Sequence, residues 1–192
     1  MITSKADSVT EAGEHDGWAP SPGWFAEVTP QGDTRLTISV PRSAVVVVHA
    51  ALLRAAAEPL SFLYRQKVDR REPGPRGAPP RDFVALGASA DAVLAALQDA
   101  ELLVYGDARC EVWVRGAMGE QVVLDEDGLL YVYPDDPAFR EALAAQGVPG
   151  DDVETMADRD YVKHWFRAEA DEAETRLIAA LQLTEVAPRG GR

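Results

Sequence analysis

Residues 110–134 read CEVWVRGAMGEQVVLDEDGLLYVYP. Three short runs rich in Val, Leu, Tyr and Trp are parted by AMG and by DEDG. β-Branched and aromatic residues fit a pleated, half-buried surface. Asp-Gly between alternating apolar runs is a strong hairpin signal. The stretch therefore predicts three antiparallel strands joined by tight turns. ELLVYG, residues 101–106, predicts a further strand ahead of the turn GDAR. This meander decides the fold class.

Downstream, PDDPAFREALAAQGV (134–148) predicts a helix with Asp136 as its cap, Pro137 at its first position and Gly147 closing it. YVKHWFRA (161–168) has a strand-like composition. Asp171 with Glu174 three residues on resembles a capping box, so a helix is predicted from there to about Leu183.

Upstream, Leu36, Ile38 and Val40 alternate with Thr37 and Ser39, the period of a half-buried strand. Val45, Val48, Leu52 and Ala56 fall at helical spacing in the next segment, with Ser43 as cap and Pro59 as stop, the alternative being a strand through Val48 and then a short helix. LSFLYRQKV (60–68) and RDFVALG (81–87) read as strands around REPGPRGAPP (71–80), a Pro/Gly loop. SADAVLAALQDA (89–100) reads as a helix capped by Ser89. The order β-α-β-β-α is that of a split βαβ start. The expected fold is α+β: an antiparallel sheet, split βαβ-like at its start and then a meander, covered on one face by helices.

Residues 1–33 show neither period and are expected to be a flexible acidic arm. Within it Trp18 and Trp24 would dock either on this chain's own domain or on a partner. Residues 34–184 are expected to be a single domain and 185–192 a frayed tail.

The chain has 192 residues and a net charge of −13. That charge argues against binding nucleic acid, whose phosphates are held by Lys and Arg. No apolar run approaches the ~18 residues of a membrane span, and Cys110 is the only cysteine. A reducing cytoplasm is the expected location. Lys occurs only at 5, 67 and 163, while Arg and Ala are abundant, a usage similar to that of high-GC bacteria. Charge is unevenly spread. Ten acidic residues and only Arg140 lie between Asp125 and Asp158, whereas Arg65, Lys67, Arg70, Arg71, Arg76 and Arg81 form a basic island. The two blocks are expected to neutralise each other in part.

Asp125, Glu126 and Asp127 form one knot of carboxylates, and Asp135 and Asp136 a second. DEDG lacks the spacing of a calcium loop, so no metal and no cofactor is expected. The five carboxylates read as turn and cap residues that also offer one negative surface patch to a basic protein partner. No nucleophile elbow, zinc motif or phosphate loop is present. Arg70, Arg71 and Arg76 could clamp an anion. In composition alone the chain is similar to immunity proteins that neutralise basic toxins. The expectation is a non-enzymatic, acidic protein-binding domain. The alternatives are a small hydrolase or transferase with a site built from sequence-distant residues, and a regulatory domain that holds a small ligand.

Overall fold

The computed structural model, which describes residues 4–67, 80–165 and 167–186, contains ten strands and five α-helices. They are β1 (Ala6–Ser8), β2 (Gly23–Val28), β3 (Thr34–Ser39), α1 (Arg42–Ala55), β4 (Leu60–Gln66), β5 (Arg81–Ala88), α2 (Ala90–Asp99), α3 (Glu101–Gly106), β6 (Cys110–Arg115), β7 (Gln121–Leu124), β8 (Leu130–Tyr133), α4 (Pro137–Ala145), β9 (Tyr161–Lys163), α5 (Ala170–Ala180) and β10 (Thr184–Val186). The fold is α+β. The predicted loop over 71–80 lies outside the described residues apart from Pro80.

Eight strands form one antiparallel sheet in the order β10-β5-β4-β6-β7-β8-β3-β2, and β1 pairs with β9 in a separate ribbon. β6, β7 and β8 are the expected meander, with Val112 opposite Leu124 and Val122 opposite Val132. Four successive antiparallel pairings separate β3 from β4, so these two run parallel. With α1 between them they form a βαβ unit split by the whole meander. β5 and β10 then add outside β4, with Gly87 at φ +77° in a bulge opposite Ser61.

Along β4, Leu60, Phe62, Tyr64 and Gln66 are buried and the alternate residues are partly exposed. Leu36, Ile38, Val112, Val122 and Val132 point to the same side, and every helix buries its apolar stripe in that cluster. Among the described residues, no helix packs on the opposite sheet face.

Local signals hold at two helix starts and fail at two. Ser89 accepts from the Ala92 amide, and Asp136 from the Ala138 amide ahead of Pro137. Ser43, expected to cap α1, does not: Pro41 occupies that position and no side chain caps the helix. Asp171 does not cap α5 either. It lies in the first turn, and its carboxylate is 2.7 Å from Arg109 Nη1. ELLVYG, expected as a strand, is the helix α3. Its Leu103, Val104 and Tyr105 are buried, so packing overrides their strand propensity.

The segment read as an arm without structure supplies two strands. β2 pairs along all six of its residues with β3. Trp24 donates its amide to Pro149, packs on the core and lies under the Arg140 guanidinium at 5.1 Å. Trp18 donates its indole N–H to Glu154 at 3.1 Å beneath Arg159. Both tryptophans dock on their own domain. The expected tail is also structured at its start, because Glu185 and Val186 belong to β10. Residues 187–192 lie outside the described residues.

A buried charge ties these parts together. Arg109 is 1% exposed and Asp107 is 0% exposed, 2.8 Å apart. Arg109 also donates to the Arg167 carbonyl at 2.8 Å, while Asp107 accepts from the Arg167 amide at 2.8 Å. The α3–β6 turn is thereby fastened to the entry of α5. Removing one member of a buried pair strands the other, at about 3–5 kcal/mol. Asp107→Ala is therefore expected to lower the urea midpoint by a corresponding amount, whereas the exposed pair variant Arg81→Ala should change it little. Removal of residues 1–32 is expected to lower the melting temperature by about 5 °C or more, equivalent to roughly 2 kcal/mol in a chain of this size. An unchanged melting curve would show that β2 contributes no stability.

Candidate functional site

Asp125 opens the β7–β8 hairpin. Its Oδ1 accepts from the amides of Asp127 at 2.9 Å and Leu129 at 2.8 Å, and Gly128 takes φ +87° to close the turn. The turn chemistry read from DEDG is therefore in place. What the local sequence does not reveal is where the lysines go. Lys5 Nζ donates to the Asp125 carbonyl at 2.8 Å and the Cys110 carbonyl at 2.7 Å. Lys67 Nζ lies 3.0 Å from Glu126 and 2.8 Å from Glu111. Lys163 Nζ lies 2.8 Å from Asp127 and 3.2 Å from Glu126. All three lysines of the chain converge on this one turn.

This revises the expected negative patch. Glu126 and Asp127 are half-buried and paired with lysines of the same chain, while the half-buried Asp125 carboxylate accepts from backbone amides. Asp135 is paired with Arg140, and Asp136 is an exposed helix cap. The two knots are thus separate structural devices. The predicted neutralisation between blocks is realised where Lys67 meets Glu126. Within the basic island, Arg65 grips Asp82 through two hydrogen bonds of 2.8 and 2.9 Å, and Arg81 grips Glu185. Arg70, Arg71 and Arg76 lie outside the described residues.

The remaining chemical candidates are dispersed. Cys110 is fully buried, its thiol donates to the Leu103 carbonyl at 3.7 Å, and burial pushes its pKa up to about 11. A nucleophilic thiol requires the opposite shift. His49 is fully buried beside the Tyr105 hydroxyl at 2.9 Å, and burial together with the Lys5 charge brings it down to about 3. His164 is held by Asp7 at 2.7 Å, with His15 stacked alongside. Among the described residues, no group of three His, Cys, Asp or Glu side chains is arranged to hold a metal ion. No helix among them is long and apolar enough to cross a membrane.

One sheet face is left without a helix among the described residues. The pairing register aligns Phe25, Thr37, Tyr131, Val123, Trp113, Leu63, Val84 and Thr184 in one row across all eight strands, with Thr37 and Val123 buried and the others at least partly exposed. Leu86, 79% exposed, continues it at the bulge. Trp113 and Tyr131 are half-buried and lie under Arg65 at 5.8 Å and Arg35 at 4.5 Å. Glu111 anchors the indole N–H of Trp113 at 3.0 Å, and Glu27 holds Arg35 at 2.9 Å. The face is aromatic at its centre, with charged side chains around the rings. Its residues were recoverable from the meander: Trp113, Val123 and Tyr131 alternate with the inward Val112, Val122 and Val132. Their alignment into one row required the register.

Comparison with protein-family models, with curated proteins and with solved structures gave no match.

Burial and the adjacent Asp127 charge push the Asp125 carboxyl up to about 6. Because the folded value exceeds the unfolded one near 3.9, this group's contribution to stability is greatest below that value. The contribution falls as pH rises from about 4 to about 6, by roughly 2–3 kcal/mol. Asp125→Asn keeps the Oδ1 acceptor and removes the titration. The stability of this variant relative to the original chain should therefore rise between pH 4 and 6 and level off above. Urea unfolding at several pH values would measure it, and a difference independent of pH would contradict a raised Asp125 pKa.

Proposed function

We propose that this chain is a non-enzymatic protein-binding domain, immunity-like in character, that presents the helix-free sheet face to a basic protein partner in a reducing, cytoplasmic compartment. The observation that carries the reading is the row centred on Trp113 and Tyr131. Binding energy at protein interfaces concentrates on Trp, Tyr and Arg side chains that are packed yet accessible. Trp113, Tyr131, Arg35 and Arg65 combine these residue types on one sheet face. Their rings and guanidiniums are already stacked and hydrogen-bonded, so little side-chain freedom remains to be lost on association. The net charge of −13 supports a basic partner through the long-range field rather than through the 125–127 turn, where Glu126 and Asp127 are paired with lysines of the same chain.

The test uses the full chain as bait and compares three variants. A partner captured by the original chain should be lost, with affinity down about tenfold or more, for Trp113→Ala and for Tyr131→Ala. It should be retained by Asp91→Ala on the outside of α2. Its association rate should fall as salt rises, since exposed charges are screened within about 10 Å at 0.1 M. A partner that binds both aromatic variants as tightly as the original chain would remove the sheet face from consideration.

A further inference from the structure

At the end of the sheet where β3 and β7 finish, a cavity of about 190 Å³ opens beneath the N-terminal segment. Its walls include Val45, Leu124, Leu129, Met156 and, on the outer side, Trp18. An apolar cavity of about 150 Å³ accepts a benzene ring, so this one has room for a ring and a small substituent.

Its polar groups are few and unevenly matched. Ser39 lines the cavity, is 1% exposed, and its Oγ has no partner among the described residues. Tyr105 lines it too, and its hydroxyl lies 2.9 Å from His49 Nδ1. His49 Nε2 is buried with no partner. An orphaned N–H is rarer than an orphaned acceptor, so the proton is inferred to sit on Nδ1 and to be donated to the Tyr105 oxygen. Burial disfavours ionisation of both groups, which keeps the ring neutral and the phenol protonated. The Tyr105 O–H is then left to donate elsewhere.

The charges lining the cavity are nearly all paired. Arg42 meets Asp7, and Asp127 meets Lys163. Lys5 differs. Its ammonium is buried on the two carbonyls of Cys110 and Asp125, and among the described residues it makes no ion pair with a carboxylate. An ammonium has three donors, and the field of Lys5 reaches both His49 and Cys110. Two hydroxyls without acceptors, a positive field and an apolar wall favour one kind of guest.

We infer that this cavity is a binding site for a compact apolar carboxylate of about the size of benzoate, with its head group received by Ser39 and Tyr105 in the field of Lys5. This is independent of the sheet face, which lies apart from Tyr105 and Val45.

Sodium benzoate is the probe, with benzamide and benzylamine as matched neutral and cationic molecules. Binding to the full chain is read by saturation-transfer NMR and by calorimetry, and located by amide shifts across Leu124–Leu129. Benzoate should bind saturably with a Kd tighter than about 10 mM, the floor that ordinary ligand efficiencies set for so small a molecule. Benzamide should bind more weakly and benzylamine weakest. Tyr105→Phe keeps the ring and should weaken benzoate about tenfold, since a hydrogen bond to a charged group is lost. Ser39→Ala provides a second, smaller deletion and should weaken it severalfold. Any of three results would overturn the proposal: no saturable benzoate binding, benzylamine binding as tightly as benzoate, or benzoate affinity unchanged in every folded variant.

Discussion

The buried guanidinium of Arg109 is the interaction on which the rest of the arrangement leans. A cation enclosed by protein must be met by anions and carbonyls in fixed places, or the charge is stranded. Asp107, Asp171 and the Arg167 carbonyl meet it from two distant parts of the chain. Because Asp107 stands between α3 and β6, the pair sets where the helix layer ends and the meander begins. Because Asp171 lies in the first turn of α5, it also sets how that helix enters. Glu174, one turn along α5, accepts from Tyr64 and from Gln66 on β4, which continues the polar seam into the sheet. The helix layer is thus positioned by charge at one end and by apolar packing over the remainder.

The lysines obey the same rule beside the N-terminal end of β6. Each is drawn to the hairpin at 125–127, and together they turn a cluster of acids into a joint between the N-terminal segment, the β4–β5 region and β9. This changes which surface the protein offers. A run of carboxylates in sequence suggests an exposed acidic patch. Here Glu126 and Asp127 are neutralised by lysines of the same chain, and Asp135 by Arg140, and the aromatic sheet face lies beside them.

Antiparallel sheets tolerate one uncovered face, but a row of Phe25, Tyr131, Trp113 and Leu63 is more apolar than a purely solvated face requires. Arginines laid over Trp113 and Tyr131 reduce its contact with water without burying it. The N-terminal segment solves a different problem. With Lys5 inserted and Trp18 anchored, it closes the open end of the layer between sheet and helices, leaving a cavity rather than packed side chains.

The sequence by itself determined the elements whose signals are local. The period of two in 36–40 marks a strand because side chains alternate across a pleat, and β-branched and aromatic composition marks those in 60–66 and 110–133. Ser89 and Asp136 mark helix starts because a side-chain oxygen must satisfy a nearby amide, and Asp-Gly marks the hairpin. Only the tertiary structure decided the rest. ELLVYG became helix because its buried face meets α5 and β6. GWFAEV became a strand because β3 offered a free edge. The partners of Lys5 and Lys67 lie 120 and 59 residues away, respectively. Contacts of that range depend on loop closure and burial, quantities that no short window of residues contains. For that reason the acidic knots were legible as turns, while their neutralisation, the cavity and the aligned aromatic row were not.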